Sequence, residues 1–502
     1  MRGTLENGLV MRGARKESND LANAHNWKLL ARWNGEGYYE LRTEDTRDVP
    51  VRMFLTPRLL ADAEDILYRQ IINATRFPGV KLVVITPDVH YGYGVPVGCV
   101  ILTDSRDGAI AMGPVGYDIG CGMVSAKSDV PVDAATPERR LEFNREVMKR
   151  VDLGAGGKSF KLGTVDRHEF DNLVHGGAEC YVEKYGATFD RSRAERHRLP
   201  VDDDWQPPIG ARGRPERGFS QLGSLGGGNH FIELQRCEET GTLFVQAHTG
   251  SRGWGHGLAT NYFDLARAEK PEVITDLDLG YFTPESEHYR SYLNAVAAGG
   301  NFAIINRLII FEQVAEAFEK VFGGEMELIY EISHNLVQKE WHPEFGEVWV
   351  HRKGATRAFP AGHPALEGTM WEHTGHPVLI PGSNKDWSYV LRPEAGAVRS
   401  AYSVNHGAGR RMSRGEAGRT LNQRKIDDEY AAAGILVNVD GHVPIDESAL
   451  CYKPSAEVVG AVVGAGLARI EYSLWPLASL KGTEGAGGRR GKRSNRQSSK
   501  HH

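Results

Sequence analysis

The chain of 502 residues alternates between short apolar runs and longer segments with apolar side chains at helical spacing. Periodicity over residues 59–72 and 302–322 predicts amphipathic helices, and residues 137–199 are typical of polar helices. Short apolar or alternating runs bounded by turn residues predict strands, at residues 49–55, 81–86, 99–103, 231–235, 243–248, 327–332, 347–351 and 377–380. Because no internal repeat or linker divides the chain, the pattern predicts one large mixed α+β domain.

The two ends differ from this body, which spans residues 46–482. Residues 1–45 predict a loosely ordered lead-in. Residues 483–502 are rich in glycine, serine, arginine and lysine and lack apolar side chains, so we expect them to be disordered. Residues 191–198 are strongly basic, which fits a solvated helix face or a phosphate-contacting surface equally well.

Composition narrows the function class. At 40% apolar and 25% charged residues, with a net charge of −5, the chain resembles an ordinary globular protein and has no overall basic field. Five widely spaced cysteines argue for a reducing compartment rather than a disulfide framework. The N-terminal residues lack the apolar core of a secretory signal, and no uninterrupted apolar run reaches the ~20 residues of a membrane span. We therefore expect a cytoplasmic protein with no membrane partner.

Glycine-rich loops carry the candidate metal ligands. Asp118 and Cys121 lie two residues apart in such a loop, and His230, His248 and His334 each lie where a predicted strand meets a loop. A carboxylate, a thiolate and imidazoles suit a borderline divalent ion, and five ligands could serve two ions if Cys121 bridges them. The alternative is an inert packed cysteine and structural histidines, because the sequence alone does not show that these residues meet.

Candidate phosphate-binding residues lie beside other glycine turns. Arg252, Lys353 and Arg410 occur in or next to such turns, where backbone N–H groups and guanidinium groups recognise phosphate, although ordinary surface arginines have the same appearance. No Walker A or dinucleotide-binding pattern is present. His406 lies in a loop of small residues with arginine close by, which suits a histidine nucleophile in phosphoryl transfer.

Six motifs in order give the chain a resemblance to the RtcB family of GTP-dependent RNA ligases. Residues 87–94 (Pro-Asp-Val-His-Tyr-Gly-Tyr-Gly), 116–122 (Gly-Tyr-Asp-Ile-Gly-Cys-Gly) and 221–231 are similar to successive family signatures. Residues 248–253 (His-Thr-Gly-Ser-Arg-Gly), 351–360 and 406–410 (His-Gly-Ala-Gly-Arg) are similar to later ones. The resemblance implies an α+β catalytic domain over residues 46–482, with a mixed or antiparallel sheet core surrounded by helices.

The resemblance also implies the site. Two Mn²⁺ ions are expected on Asp118, Cys121, His230, His248 and His334, with the Cys121 thiolate shared, and His406 is expected to be guanylylated by GTP. RNA phosphates are expected near Arg252, Lys353 and Arg414. The expected guanine-nucleotide residues are Asn229, His230, Phe231, Ile232, Glu233, His334, Asn335, Pro381, Gly382, Ser383, Asn384, Ser388, His406, Gly407, Ala408, Gly409, Tyr452 and Lys481.

The implied reaction joins an RNA 2′,3′-cyclic phosphate or 3′-phosphate end to a 5′-hydroxyl end through His–GMP and guanylylated RNA intermediates. It would serve RNA repair or tRNA splicing, in a monomer that an archease-like activator could assist. The alternatives are a dinuclear-metal phosphodiesterase that hydrolyses cyclic phosphates, and a non-catalytic metal- or RNA-binding protein.

The chain departs from the usual family residues in segment 384–388 and at Asn405, where the family often has cysteine. Val89 and Tyr91 also differ from common family choices. These departures bear on nucleotide preference, rate or substrate more than on the metals.

Overall fold

The structure is a computed structural model and describes residues 23–185, 198–210 and 212–482. Its helices within these ranges are α1 (Trp27–Leu30), α2 (Pro57–Asp62), α3 (Ile66–Ala74), α4 (Pro137–Met148), α5 (Arg167–Tyr185), α6 (Arg252–Glu269), α7 (Tyr289–Phe322), α8 (Arg414–Thr420), α9 (Gln423–Ala432) and α10 (Ser455–Gly464). Its strands are β1 (Arg32–Trp33), β2 (Tyr39–Leu41), β3 (Val51–Met53), β4 (Val80–His90), β5 (Val97–Asp104), β6 (Ile110–Ala111), β7 (Gly122–Pro131), β8 (Phe231–Cys237), β9 (Thr242–Thr249), β10 (Tyr281–Phe282), β11 (Glu327–Ser333), β12 (Asn335–His342), β13 (Gly346–Lys353), β14 (Ala355–Arg357), β15 (Val378–Ile380), β16 (Ser388–Pro393), β17 (Ser403–Asn405), β18 (Leu436–Val437) and β19 (Ala468–Lys481).

Two large sheets form the centre of the fold. Among the described residues, one sheet has the order β1-β2-β3-β4-β5-β13-β12 and the other the order β11-β7-β9-β8-β19-β16-β15. Neighbouring strands are antiparallel except for β3 beside β4 in the first sheet and β18, which pairs with β19 in the second. The predicted α+β fold, with mixed and mainly antiparallel sheets and helices packed around them, is confirmed.

The long helix α7 lies against the second sheet and contacts β7, β9 and β11. The sequence predicts that this helix begins at residue 302, but it begins at Tyr289. The apolar periodicity misses the first half because that half is rich in alanine and glycine and has no stripe of large apolar side chains. A Cβ on Gly299 or Gly300 would come within 2.8 Å of Ile119 or 2.4 Å of Leu199, so the glycines permit close packing. By length and composition α7 could cross a membrane, but 89% of its most apolar stretch is buried in the fold, as in a core helix.

Two predicted elements have different bounds. The helix expected over residues 59–72 is divided into α2 and α3, because Ala63 has extended backbone (φ −61°, ψ 135°) and ends α2. The strand expected to stop before Pro87 continues as β4 to His90. The register with β5 shifts between Ile85 and His90, so Pro87 lies in a bulge and its missing N–H costs no ladder hydrogen bond.

The predicted lead-in and tail fall partly or wholly outside the described residues. Within residues 23–45, β1 and β2 extend the first sheet and Trp27 is buried, which differs from a loosely ordered segment. Residues 1–22, the basic tail 483–502 and most of the basic segment 191–198 lie outside the described residues.

Candidate active site

Aligned strand ends bring the predicted metal ligands together. Gly122, the first residue of β7, pairs with Thr249 of β9 and with Ser333 of β11. Phe231, the first residue of β8, pairs with His248. Each predicted ligand is one of these residues or a direct neighbour of one, except Asp118 in the glycine turn before β7. The register of the second sheet therefore determines the cluster.

The side-chain atoms form two groups that share the Cys121 sulfur. In one group, Cys121 Sγ lies 3.3 Å from His248 Nε2, which lies 3.2 Å from His334 Nε2. In the other, Cys121 Sγ lies 3.6 Å from His230 Nε2, which lies 3.1 Å from Asp118 Oδ2. The structure thus brings all five predicted ligands together, with Cys121 between the two groups.

Hydrogen bonds behind the cluster orient its ligands. His230 Nδ1 lies 3.0 Å from the Leu225 carbonyl and His248 Nδ1 lies 3.1 Å from the Asn229 carbonyl, so each ring donates from Nδ1 and turns its Nε2 lone pair inward. Asp118 Oδ1 accepts from the Ser251 backbone N–H at 2.9 Å. These contacts are those expected of ligands held ready for a cation.

The buried Arg307 of α7 joins the three strand ends from behind. Its guanidinium donates to the carbonyls of Gly120 (2.7 Å) and Thr249 (3.0 Å) and to the Ser333 hydroxyl (2.8 Å), and it forms an ion pair with the fully buried Glu331. Each of these three partners is adjacent in sequence to one of the ligands in the group of Cys121, His248 and His334. One side chain therefore positions that whole group.

The donor set fits a divalent cation. The imidazole lone pairs that face the centre of the cluster repel one another unless a proton or a cation lies between them. In addition, the Nδ1 atom of His334 is buried without a hydrogen-bond partner. Burial and the Asp118 charge raise the pKa of the Cys121 thiol, whereas burial lowers the pKa values of His248 and His334. Neutral imidazoles are ready to bind metal, and a bound cation would favour the thiolate.

Beside this cluster, His406 is held by Asp88 from the bulge of β4. Asp88 Oδ2 accepts from His406 Nδ1 at 2.6 Å and from the backbone N–H groups of His406 (3.0 Å) and Gly407 (3.2 Å). Burial acts to raise the pKa of the Asp88 carboxyl, but His406 and a hydrogen bond from Thr86 lower it overall. The carboxylate fixes Nδ1 as the donor and leaves Nε2 with the lone pair that a nucleophile requires.

A cavity of about 370 Å³ adjoins His406. Thirteen of the predicted nucleotide residues line it, among further residues: Asn229, Phe231, Glu233, Pro381, Gly382, Ser383, Asn384, His406, Gly407, Ala408, Gly409, Tyr452 and Lys481. The sequence prediction did not assign His90, Tyr93, Val97, Arg410 and Glu447 to a nucleotide site, although all five also line this cavity.

The other five predicted nucleotide residues do not line this cavity. His230 belongs to the metal cluster, and His334 and Asn335 line a second cavity. Ile232 points into the apolar core because successive strand residues face opposite sides. The buried Ser388 hydroxyl accepts from the Gly382 N–H at 2.9 Å and so supports the loop.

Charged groups cluster where β19 and α8 border the first cavity. The buried Glu447 carboxylate binds Lys481 Nζ (2.8 Å), Arg414 (2.7 Å) and the Tyr452 hydroxyl (2.7 Å). Burial raises the pKa of Glu233 in the same cavity to about 8. At neutral pH this carboxyl is therefore protonated and has a proton to donate.

Of the departures from the family pattern, Asn384 lines this cavity, and Asn405 precedes His406, which also lines it. Asn384 Oδ1 accepts from the Tyr430 hydroxyl at 2.5 Å, and Asn405 Nδ2 donates to the Gly407 carbonyl at 2.7 Å. Asn384 Nδ2 and Ser383 Oγ are buried without a partner, so both are ready to bind a polar ligand. The unusual residues thus shape the loop and add polar groups to it.

A second cavity, of about 330 Å³, lies on the metal side of His406. Asp118, Cys121 and His334 line it, and it shares His90, Tyr93, Val97, Asn229 and His406 with the first cavity. His406 therefore lies in a wall common to both cavities, where its ring centroid is 4.8 Å from that of His334.

The residues predicted to contact RNA phosphates occupy different settings. Arg414 lines the first cavity. Lys353 lines the second cavity, and its Nζ donates to the carbonyls of Tyr93 (2.6 Å) and Val95 (3.1 Å). Arg252 donates to the carbonyls of Gly154 and Ala155, both at 3.2 Å, and lines neither cavity.

Two positioning residues were missed from the sequence. Asp88 belongs to a motif that was noticed, but its role depends on a bulge that brings it to a loop 318 residues away. Arg307 lies within the amphipathic helix predicted over residues 302–322. A charged residue within an apolar stripe is the signal that could have identified it, because such charges are rarely buried without a partner.

Comparisons with known proteins agree with this geometry. The family profile described as "tRNA-splicing ligase RtcB" matches residues 70–482. A "tRNA-splicing ligase RtcB" of Thermococcus kodakarensis is 35% identical over 465 residues, covering 86% of this chain and 95% of the relative. One of Pyrobaculum aerophilum is 34% identical over 468 residues, with the same coverage. An "RNA-splicing ligase RtcB" of Mycobacterium tuberculosis is 34% identical over 436 residues, covering 82% of this chain and the whole relative.

Proposed function

The chain belongs to the RtcB family of tRNA-splicing ligases, and from that premise we propose that it is an RNA ligase. It joins RNA 2′,3′-cyclic phosphate or 3′-phosphate ends to 5′-hydroxyl ends in RNA repair or tRNA splicing. The observation that carries this proposal is His406 in the wall between two cavities, with Nδ1 bound to Asp88 and the metal-ligand cluster beside it.

The first cavity binds GTP, in this proposal, with its α-phosphate toward His406. The lone pair of His406 Nε2 attacks the α-phosphorus, the bond to the bridging oxygen breaks, and pyrophosphate leaves. Arg410 lines the same cavity, and its positive charge offsets phosphate charge. GMP then passes from His406 to an RNA 3′-phosphate, and the 5′-hydroxyl of the other end displaces GMP.

Two Mn²⁺ ions are the proposed occupants of the five-ligand cluster. Asp118, Cys121 and His230 would hold one, and Cys121, His248 and His334 the other, which matches the two groups of atoms. Bound there, they would supply positive charge beside the phosphates and lower the pKa of a bound water. The protein orients the Nε2 lone pairs of His230 and His248 toward the cluster and keeps the ends of β7, β9 and β11 in register.

The proposed partners and location follow the same premise. RNA is the substrate, an archease-like protein is a proposed activator, and the protein is proposed to act as a monomer without a membrane partner. All five cysteines are free, which supports the proposed cytoplasmic location.

Incubation with Mn²⁺ and α-labelled GTP tests the proposal. We expect a covalent protein–GMP adduct in the native chain and in His442→Ala, which removes an exposed histidine that lines neither cavity. His406→Ala should form none. Cleavage of an RNA cyclic phosphate without an adduct would indicate a phosphodiesterase instead, and neither activity would indicate a binding protein.

A further inference from the structure

An aromatic row, defined here as Tyr93, Tyr117 and His256, extends from the second cavity to the protein surface. Tyr93 and Tyr117 line that cavity, and their rings meet edge to face with centroids 6.4 Å apart. Tyr117 stacks on the exposed His256 at 5.4 Å with an interplanar angle of 28°. Tyr93 is 67% exposed, so its ring surface is open to a ligand.

The turn that carries Tyr93 is held rigidly. All four carbonyls of residues 92–95 accept side-chain hydrogen bonds, from Gln70, Lys353, Asn73 and Lys353 in turn. Gly94 has a φ of 71°, and a Cβ on it would lie 2.6 Å from the Asp278 carbonyl oxygen, so the turn packs closely on its neighbour. An exposed ring on such a fixed turn loses little conformational freedom when it binds.

Tyr117 is fixed as well. Its hydroxyl donates to Asp278 Oδ1 at 3.0 Å, and its ring packs on Phe263 with centroids 4.8 Å apart. Because Tyr117 is packed between His256 and Phe263, it holds the exposed Tyr93 ring in a set orientation beside the cavity that ends at His406.

We propose that Tyr93, whose ring is held at right angles to that of Tyr117, binds by stacking the base of the terminal nucleotide of a single-stranded RNA end that enters the second cavity. The inference rests on the proposed ligase function and deepens it, because it names the protein group that binds the end. Every base has an aromatic face, so this contact accepts any RNA sequence, as a ligase of diverse broken ends requires.

Binding of short RNAs with 2-aminopurine as the terminal base tests the proposal. One set carries the base at a 5′-hydroxyl end and the other at a 3′-phosphate end, so the two sets distinguish which end is bound. Stacking quenches 2-aminopurine fluorescence. We expect Tyr93→Ala to lose the quenching and to bind at least one set about 5- to 150-fold more weakly, the effect of losing one base–aromatic stack, whereas Tyr93→Phe should bind like the native chain.

Two controls separate stacking from a structural effect. Tyr91→Ala removes a 54% exposed tyrosine on the same turn that lines neither cavity, and it should bind like the native chain. An RNA with an abasic terminal nucleotide should bind Tyr93→Ala and the native chain equally. Equal loss with intact and abasic ends, or no loss with Tyr93→Ala for either end, would overturn the proposal.

The adduct assay run on the same preparations keeps the two proposals apart. A native chain that forms the GMP adduct but binds RNA independently of Tyr93 contradicts only the stacking. A native chain that binds RNA through Tyr93 without forming an adduct contradicts only the ligase reaction.

Discussion

Replacing Asp88 by asparagine tests the inference that this carboxylate prepares His406 for attack. The variant keeps the shape of the side chain but removes its charge. The asparagine oxygen can still accept from the three donors of residues 406 and 407, while its amide group turns toward Thr86, whose hydroxyl can accept. The buried site therefore stays filled and hydrogen-bonded.

The magnitude follows from those three hydrogen bonds. A hydrogen bond to a charged group contributes about 1 kcal/mol more than one to a neutral group, so the variant loses about 1 kcal/mol at the His406 ring and about 3 kcal/mol over all three bonds. If the loss falls on the transition state, adduct formation slows by about 5- to 150-fold.

The assay is the rate of adduct formation from α-labelled GTP, measured beside thermal unfolding. Asp104→Asn is the matched control, because Asp104 also accepts a backbone N–H, from Arg106 at 2.9 Å, but lies outside both cavities. An Asp88→Asn chain that forms the adduct at the native rate would refute the reasoning.

The same variant has a pH signature. Because the folded-state pKa of Asp88 is depressed, the stability it contributes is present above its unfolded pKa of about 3.9 and is lost as the pH falls through the lower folded-state value. The native chain should therefore lose more stability in acid than Asp88→Asn. Equal losses of stability in the two chains would mean that the folded structure does not lower the pKa of Asp88.

Three further predictions concern the cluster and the nucleotide cavity. Cys121→Ser should abolish the GMP adduct and lower the manganese retained after dialysis, because a serine hydroxyl does not replace a shared thiolate; native adduct yield would contradict this. Arg307→Met should lower the free energy of unfolding by about 3–5 kcal/mol, because it removes the ion-pair partner of the fully buried Glu331 carboxylate. Arg290→Met, which removes an exposed arginine of α7, should cost less than about 1 kcal/mol, and equal effects of the two variants in denaturant titrations would contradict the role of Arg307. Glu233→Gln should gain stability relative to the native chain as the pH rises from about 5 to 8. Because burial raises the pKa of Glu233 to about 8 in the folded state, the native chain loses folding free energy at pH values where this carboxyl is ionised only in the unfolded state. A difference in melting temperature between the two chains that stays constant over this pH range would refute the prediction.

The five-residue cluster could be predicted from the sequence because carboxylate, thiolate and imidazole side chains are typical metal ligands, and because all but Asp118 lie at or next to a predicted strand end. Glycine loops, period-2 runs and motif order led to Asp118, Cys121 and the three histidines, and the structure brings them together. The same reasoning selected thirteen residues that line the first cavity. The side chain of Ile232, predicted to contact the nucleotide, lies in the apolar core, because a motif identifies a segment while the pleat of the strand decides which side chains face a cavity.

The sequence by itself therefore determined the α+β class, the strand ends that carry the chemistry and the residue types available there, since these depend on local periodicity and turn composition. Only the tertiary structure decided that Cys121 lies between two ligand groups, that Asp88 holds His406 and that Arg307 joins three strand ends. Those contacts join residues 26 to 318 positions apart. They arise from sheet register, a bulge and the packing of α7, which depend on pairings between distant segments and leave no periodic trace in the chain.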